Sequence, residues 1–527
     1  DRKCLFRFPP AKWVTEPQNQ SSAVRKLAAS VARWSRHAPP FLLALLVCGC
    51  DGRSRTTAPA APLRVFCGAA LKPPVEQIAQ EYERAYKVPV ELQYGPSQTL
   101  LASIEVTKVG DLYIPGDDSF LKLAREKDLI AETIPLARMA TVVAVRAGNP
   151  KNIQSLADLG RADVKLGIPN PDATAVGKLA RQALQAAGAW ESMEAHATVF
   201  KPTPNDIAAD VKLGALDAGL VFDAVAKQFA DLEIVTLPEL APAVASVSVA
   251  VLQSSVQPSA ALRFARYLSA ADRGLKRFAA LGYTVLEGDT WDESPEILLF
   301  SGAVNRVAVE ETLRAFEQRE GCRVTRVYNG CGILVGQMKS GGARPDAYLT
   351  CDRSFASPVA DLFLGEPARI SETDIVLVVP AGNPRQICEL RDLARPGLRV
   401  GWANPDQSTL GALTLRMFEQ AGIAEAVRSN TVMQTPTGDL LVNQFRVSPG
   451  SLDVVVAYRV NAMKAGDAVQ VLAIDAPGAR AEQTFSVGAQ SKHKQLVRRL
   501  HAALLSTEAG QRYTAAGFKW NPEPRRD

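Results

Sequence analysis

Apolar and polar positions alternate with two different periods along the first half of the chain. Short β-branched and apolar runs are typical of strands, and the longer segments between them repeat apolar residues at the 3.6-residue helical period. The predicted strands are 63–69, 88–94, 111–115, 139–148, 164–171 and 218–224, and the predicted helices are 75–86, 99–105, 119–130 and a segment from Val176. This order predicts an α/β fold with a largely parallel sheet, whose ligands bind beyond the strand ends at helix N-termini.

The pattern occurs twice. The segment "RAGNPKNIQSLADL" (146–159) matches "PAGNPRQICELRDL" (380–393), and "LGIPNPDATAVGKL" (166–179) matches "VGWANPDQSTLGAL" (400–413), both at an offset of 234 positions. Further matches follow in the same order, and a conserved order of matches over this length indicates duplication. The sequence therefore predicts two homologous modules. They span 63–292 and 295–522, and the length of each suits two small α/β lobes.

The N-terminal region has the composition of an export signal. A basic segment (23–37) precedes a short apolar run (41–49) that ends at Cys50, which is the order of a secretory leader. Residues 1–50 are predicted to be a signal or lipoprotein leader with an N-terminal extension, and lipid attachment is predicted at Cys50. A plain signal peptide and a chance apolar patch remain as alternatives. Residues 51–62 are small, polar and rich in Pro and Ala, which is typical of a flexible linker.

Charge and histidine content exclude other classes. The net charge is +5, from 60 basic and 55 acidic residues, and the chain shows no dense basic stripe of the kind that nucleic acid requires. The four histidines have no ligand-like spacing. We predict no nucleic-acid partner, no metal site based on histidine and no cofactor.

Ordered motifs in each module carry a family resemblance. They are the strand–"GA-x-L"–helix opening, "YG-x-S-x-x-L" (94–100), "DLYIPGD" (111–117) and the later "GNP", "NPD" and "DAGLVF" segments. Each module resembles the type II periplasmic solute-binding proteins and is most similar to the molybdate/tungstate-binding proteins of ABC importers. The resemblance implies two lobes with a cleft between them, a small anion as ligand and an ABC permease as membrane partner. It also implies an exported protein in the periplasm or on the outer face of the cell membrane.

The resemblance also implies a ligand site built from neutral donors. The family holds its tetrahedral oxyanion with two serines, a tyrosine and backbone N–H groups at helix N-termini, which favour an anion without a buried counter-charge. In the first and second module respectively, the first serine falls on Ala70 and Val304, the second on Ser97 and Cys331, and the tyrosine on Phe222 and Tyr458. The implied backbone positions are Gln98, Ala173 and Thr174 in the first module, and Gly332, Gln407 and Ser408 in the second.

A cation recurs near both predicted sites. Lys72 and Arg306 occupy the same position at the start of the first helix of each module. One interpretation is a cation at the cleft mouth that replaces lost neutral donors. The other is a solvated surface base.

The second module is rich in cysteine. On the implied topology, Cys331 and Cys351 end neighbouring strands at the cleft, where a disulfide or two buried thiols is expected. A thiol site for a soft metal, or a redox role, is the alternative.

Three functions follow. The first is an exported binding protein that captures a molybdate-like or tungstate-like oxyanion. The second is a degenerate module that acts as a sensor or structural lipoprotein. The third is a cysteine-dependent enzyme, which lacks a histidine in a nucleophile–base pattern. We predict no enzymatic activity.

Overall fold

Both halves of the chain fold into the same succession of elements in a computed structural model that describes residues 61–523, the side chain of Lys464 excepted. The predicted leader with Cys50 and most of the predicted linker lie outside these residues. No helix within 61–523 is long and apolar enough to cross a membrane.

The first module contains ten strands and ten α-helices. Its strands are β1 (Leu63–Gly68), β2 (Val90–Gly95), β3 (Leu112–Ile114), β4 (Ile130–Arg146), β5 (Leu166–Pro169), β6 (Val199–Lys201), β7 (Ala218–Phe222), β8 (Leu232–Val235), β9 (Val244–Leu252) and β10 (Thr284–Val285). Its helices are α1 (Lys72–Tyr86), α2 (Ser97–Thr107), α3 (Ser119–Glu126), α4 (Leu156–Leu159), α5 (Ala175–Ala186), α6 (Trp190–His196), α7 (Pro204–Leu213), α8 (Asp223–Ala226), α9 (Pro258–Leu268) and α10 (Gly274–Ala280). Short 3-10 segments cover Ala69–Leu71 and Pro238–Leu240.

The second module repeats this order with fewer α-helices. Its strands are β11 (Glu296–Gly302), β12 (Arg323–Asn329), β13 (Ala347–Leu349), β14 (Phe363–Pro380), β15 (Val400–Ala403), β16 (Thr431–Thr435), β17 (Val454–Tyr458), β18 (Val469–Ala473), β19 (Arg480–Gly488) and β20 (Lys519–Trp520). Its helices are α11 (Arg306–Glu320), α12 (Cys331–Lys339), α13 (Thr409–Gln420), α14 (Ala424–Asn430), α15 (Gly438–Val447), α16 (Arg459–Ala462), α17 (Lys494–Leu504) and α18 (Thr507–Ala515). The 3-10 segments are Ala303–Asn305, Arg353–Phe355, Ser357–Leu362, Leu390–Ala394 and Met463–Ala468.

Each module has two lobes that share one long strand. In the first lobe β1 pairs in parallel with β2 and β3, and in the second β5 pairs in parallel with β6 and β7. The strand β4 pairs with β9 of the first lobe from Ile130 to Ala140, and with β7 and β8 of the second lobe from Thr141 to Arg146. In the second module β14 bridges the lobes in the same way.

The sheets are mixed, whereas the sequence predicted largely parallel ones. In the first module the parallel pairs lie toward the two ends of the strand order, among β2, β1 and β3 and among β7, β5 and β6. All pairings of the bridging strands β4 and β14 are antiparallel. A strand that passes from one lobe to the next without a crossover helix returns in the opposite direction, so it adds antiparallel pairs.

The modules meet through their first lobes. Glu320, at the end of α11, is buried between Arg266 of α9 and Arg499 of α17, and its carboxylate lies 2.6 Å from Arg499 Nε and 3.4 Å from Arg266 Nη1. Arg319 makes a bidentate pair with Glu132 of β4, at 2.7 and 2.9 Å. These contacts join two homologous bodies through charged groups that are largely removed from water.

Candidate functional site

Helix N-termini of both lobes converge on a cavity in the first module. The cavity is small, since its volume of about 20 Å³ is far below the roughly 300–1,000 Å³ typical of pockets for drug-sized ligands. None of the residues that line it is charged. They are Gly68, Ala69, Ala70, Gly95, Pro96, Ser97, Gly116, Thr174, Ala175, Val176, Pro202, Thr203, Pro204 and Phe222. The structure therefore brings Ala70, Ser97, Thr174 and Phe222 together.

Ser97 is held in place by its surroundings. It begins α2 and is buried, Tyr113 donates its hydroxyl proton to the Ser97 carbonyl oxygen at 2.8 Å, and the Gly116 N–H donates to Ser97 Oγ at 3.0 Å. A hydroxyl that accepts one hydrogen bond still has its proton to donate. Ser97 can therefore present a donor to an anion in the cavity.

Thr174 orients a helix end. Its hydroxyl donates to the Asn170 carbonyl oxygen at 2.7 Å and accepts from the Gly177 N–H at 3.1 Å, so its proton is already committed. This cap fixes the start of α5. The N–H groups of Ala175 and Val176, in the first turn, have no acceptor within the helix and are available to a ligand.

Four other predicted positions have different surroundings. The Gln98 N–H donates to the Ala173 carbonyl oxygen at 3.1 Å, which ties the two lobes together, and neither residue lines the cavity. Lys72 lies over the ring of Tyr94, and Arg306 lies over the ring of Tyr328, at 5.3 and 5.5 Å from the ring centroids. The paired cations thus share a paired aromatic partner, which is a physical reason for their recurrence. Lys72 does not line the first cavity, and Arg306 lines a wider groove of the second module together with Val304.

In the second module two thiols occupy the place of Ser97 and Gly116. Cys331 begins α12 as Ser97 begins α2, and Cys351 follows β13 where Gly116 follows β3. The Cys351 N–H donates to Cys331 Sγ at 3.2 Å, the counterpart of the bond from Gly116 to Ser97. Both thiols are buried. The second module therefore keeps the hydrogen bond that Ser97 accepts in the first module, with a cysteine sulfur as the acceptor in place of the serine oxygen.

Hydroxyl groups surround the two thiols. Thr409 and Tyr458, both buried, stand where the first module has Ala175 and Phe222. Within residues 61–523, the Tyr458 hydroxyl has no hydrogen-bond partner, whereas the hydroxyls of Thr409 and buried Tyr348 make only weak hydrogen bonds to the thiols. The Tyr458 hydroxyl is therefore a donor that the protein itself leaves unused.

The thiols differ in acidity. Burial raises the pKa of Cys331, but hydrogen bonds from Cys351, Thr409 and Tyr348 outweigh it and leave the pKa below its ordinary value. The hydrogen bond to Cys331, together with burial, raises the pKa of Cys351 well above its ordinary value. Burial, with the nearby Cys351, raises the pKa of Tyr458 in the same direction. Of these groups, Cys331 is therefore the one that loses its proton most readily.

The disulfide alternative for Cys331 and Cys351 is not realised in this structure, where both are free thiols. The two side chains do lie together, as the implied topology required. A Cβ added at Gly302 would overlap Cys351 Sγ and lie 3.1 Å from Cys331 Sγ. Only glycine leaves room for both sulfur atoms here.

The lobes of the second module touch beside the thiols. A Cβ at Gly330 would overlap the Gln407 carbonyl oxygen, and one at Gly332 would overlap the Asp406 carbonyl oxygen. The predicted residue Ser408 is the N-cap of α13, although its side chain makes no capping bond. The glycines therefore permit close approach of the opposite lobe.

Sequence reasoning did not name Gly116, Ala175 or Thr409 as site residues, and it placed Cys351 beside Cys331 without pairing it with Gly116. A signal was present in the repeat, because "PGDDSF" (115–120) aligns with "TCDRSF" (350–355) and pairs Gly116 with Cys351. The GNP and NPD offset likewise pairs Ala175 with Thr409.

Several known proteins are similar to parts of this chain. The curated proteins that resemble the chain include a binding protein of Haemophilus influenzae, 27% identical over 225 residues, which are 42% of this chain and 91% of that protein. The molybdate-binding protein ModA of Mycobacterium tuberculosis is 27% identical over 251 residues, which are 45% of this chain and 94% of that protein. Among solved structures, the periplasmic molybdate-binding protein of Azotobacter vinelandii is 17% identical. That match covers 43% of this chain and 100% of the other, with a TM-score of 0.38.

A family model of the bacterial extracellular solute-binding proteins matches residues 63–284 and again residues 297–519. The two matches together take up most of the chain, one in each half. The chain therefore belongs to the bacterial extracellular solute-binding protein family, as a tandem of two modules.

Proposed function

We propose that the protein is exported and captures a small, fully ionised oxyanion, of the molybdate or tungstate kind, in the cleft of its first module. The bound anion is then delivered to an ABC permease in the membrane. The observation that carries this proposal is the small uncharged cavity at which the Ser97 hydroxyl and the N-termini of α2, α5 and α7 converge. Lipid attachment at Cys50 is part of the same proposal.

Neutral donors suit a doubly charged anion. The first-turn N–H groups of a helix carry partial positive charge, so several helix ends stabilise an anion without a buried cation. A protonated oxyanion would turn an O–H group toward some of these donors, and an unmatched buried donor costs about 1–3 kcal/mol. The site is therefore expected to select anions that are unprotonated at neutral pH. The names of relatives that are 27% identical to this chain support molybdate among them.

Calorimetric titration of the chain with molybdate, tungstate, sulfate and phosphate tests the proposal. We expect tight binding of at least one anion, and Ser97→Ala should weaken it by about 10- to 100-fold, since a hydrogen bond to a charged group contributes about 1.5–3 kcal/mol. Ser103→Ala, in the same helix but outside the cavity lining, is the matched control and should bind as the wild type does. Absence of heat with all four anions would sink the proposal.

A second candidate function is a sensor or structural lipoprotein that no longer binds an oxyanion. The observation in its favour is that Ala70 and Phe222 line the first cavity without a hydroxyl. The titration separates the two candidates, because a degenerate module binds none of the four anions.

A further inference from the structure

The second cleft differs from the first at four neighbouring positions. Ser97, Gly116, Ala175 and Phe222 of the first module correspond to Cys331, Cys351, Thr409 and Tyr458 of the second. We propose that Cys331 and Cys351 together bind one soft, thiophilic metal cation of the Cu(I) or Ag(I) class. This site is distinct from the oxyanion site and does not rest on it.

The two sulfur atoms are already directed at one place. Cys351 Sγ fills the space above Gly302, Cys331 Sγ flanks the same space, and the Cys351 N–H holds the Cys331 sulfur at 3.2 Å. In the first module the corresponding space belongs to the cavity, since Gly68, Ser97 and Gly116 all line it. The thiol pair thus lies where the homologous module has its candidate ligand site.

The surrounding hydroxyls complete a site for a negatively charged thiolate complex. Tyr458 and Thr409 are 3% and 1% exposed, and both lie close to the thiols. Thr409 makes weak hydrogen bonds to the sulfur atoms, but within the described part of the chain the Tyr458 hydroxyl has no hydrogen-bond partner. Buried polar groups are normally satisfied, so an unused donor beside two sulfur atoms indicates an acceptor that arrives with a ligand.

The donor set selects the metal. Thiolates favour Cu(I) and other soft ions, whereas zinc requires about four protein ligands in a closed site. No group of three or more His, Cys, Asp or Glu side chains within residues 61–523 is placed to hold a metal ion. Two thiols and one monovalent cation give a two-coordinate bis-thiolate complex of charge −1, and two protons are released to solvent. The O–H donors of Tyr458 and Thr409 then face the sulfur atoms.

The test is a Cu(I) titration of the reduced, full chain without oxygen, in competition with a chromophoric Cu(I) chelator. The wild type should bind one equivalent, and X-ray absorption should show two sulfur ligands. Cys331→Ser and Cys351→Gly, which restore the first-module residues, should each lower the affinity by more than the roughly 10- to 100-fold that the loss of an outer-shell partner costs. Tyr458→Phe should cost about 10- to 100-fold.

Cys67→Ser and Cys388→Ser are the matched controls, because they remove thiols outside the second cleft and should leave the affinity unchanged. Circular dichroism and thermal unfolding of each variant separate loss of metal from loss of fold. The proposal is overturned if the wild type holds Cu(I) no more tightly than the folded Cys331→Ser/Cys351→Gly double variant. It is also overturned if Cys331 and Cys351 of the folded chain remain joined as a disulfide after treatment with a reductant, as measured by mass spectrometry.

Discussion

Individual side chains give the two clefts different chemistry on one backbone. A thiol is a weaker hydrogen-bond donor than a hydroxyl, so Cys331 cannot replace Ser97 as a donor to an oxyanion. The hydrogen bond that this side chain accepts from a backbone N–H group is present in both modules. It is 3.0 Å long from Gly116 to Ser97 and 3.2 Å long from Cys351 to Cys331. We therefore expect the two clefts to bind different ligands, although their backbone structures are similar.

Asp118 gives the first module a pH-dependent stability. The pKa of Asp118 is raised to about 6, mainly because the carboxyl group is buried. The Ser248 hydroxyl at 2.8 Å and Arg125 act to lower this pKa, and Asp117 acts to raise it. At a pH between 3.8, the ordinary pKa of an aspartate, and about 6, Asp118 holds a proton in the folded state that it has lost in the unfolded state. The stability contributed by this proton is present below pH 4 and is lost as the pH rises to 6.

We expect Asp118→Asn to remove that loss. From pH 4 to 7, the unfolding free energy of the wild type should fall relative to the variant by about 2–3 kcal/mol, with most of the fall complete by pH 7. Urea denaturation at pH 4, 5, 6 and 7 measures the difference. Parallel curves for the two proteins would contradict the assignment.

The residue pairs in the clefts show what a duplicated sequence can reveal. Ser97 and Cys331 could be paired directly, because their loops align without gaps. Cys351 was visible as a cysteine, but its place over Gly302 depends on the glycine that ends the neighbouring strand β11. Contacts of this kind arise from strand register, which the apolar pattern alone does not determine.

At the scale of elements, helix α12 illustrates how one helix serves two purposes. Its second residue, Gly332, meets the opposite lobe, whereas Gly336 one turn later has nothing within 4 Å of an added Cβ. Glycine weakens a helix by about 1 kcal/mol relative to alanine. That cost has a steric reason at Gly332 and none at Gly336.

Alanine at these two positions should therefore act in opposite directions. Gly336→Ala should raise the unfolding free energy by up to about 1 kcal/mol. Gly332→Ala should force the lobes apart or lower stability by about 1–3 kcal/mol, with faster hydrogen exchange in 404–411. Denaturant unfolding and exchange mass spectrometry measure both effects, and equal shifts for the two variants would refute the close approach.

Two other elements differ from their sequence-based predictions, each for a local reason. The predicted helix 119–130 ends at Glu126, because Asp128 adopts a left-handed conformation (φ 53°) and Ile130 already begins β4. Only the second part of β4 looked like a strand in the sequence. Its first part contains Pro135 and alternates between buried and partly exposed positions, as expected where a strand carries register shifts and lies between two lobes.

At the scale of the whole molecule, the buried carboxylate of Glu320 joins the modules. A buried ion pair contributes little relative to apolar packing, but removal of one partner leaves charges without compensation. Arg266 and Arg499 both depend on Glu320. The repeat could not predict this contact, since Glu320 corresponds to Tyr86 in the first module.

Glu320→Gln should lower the unfolding free energy by about 3–5 kcal/mol. Glu311→Ala is the control on the same helix, because its pair with Arg512 at 3.2 Å leaves Glu311 74% exposed, and exposed pairs contribute about 0–1 kcal/mol. Urea denaturation of both variants provides the comparison. A similar small effect for the two would show that the junction does not depend on this carboxylate.

The placement of the junction has a consequence for how the chain responds to mixtures of solutes. All the ion pairs between modules named above lie between the first lobes, so the second lobe of each module takes no part in them. We expect occupancy of one cleft to leave the affinity of the other unchanged, and the dose–response curves for two solutes to be simply additive. A single chain would then exist in four occupancy states, each set by two independent concentrations.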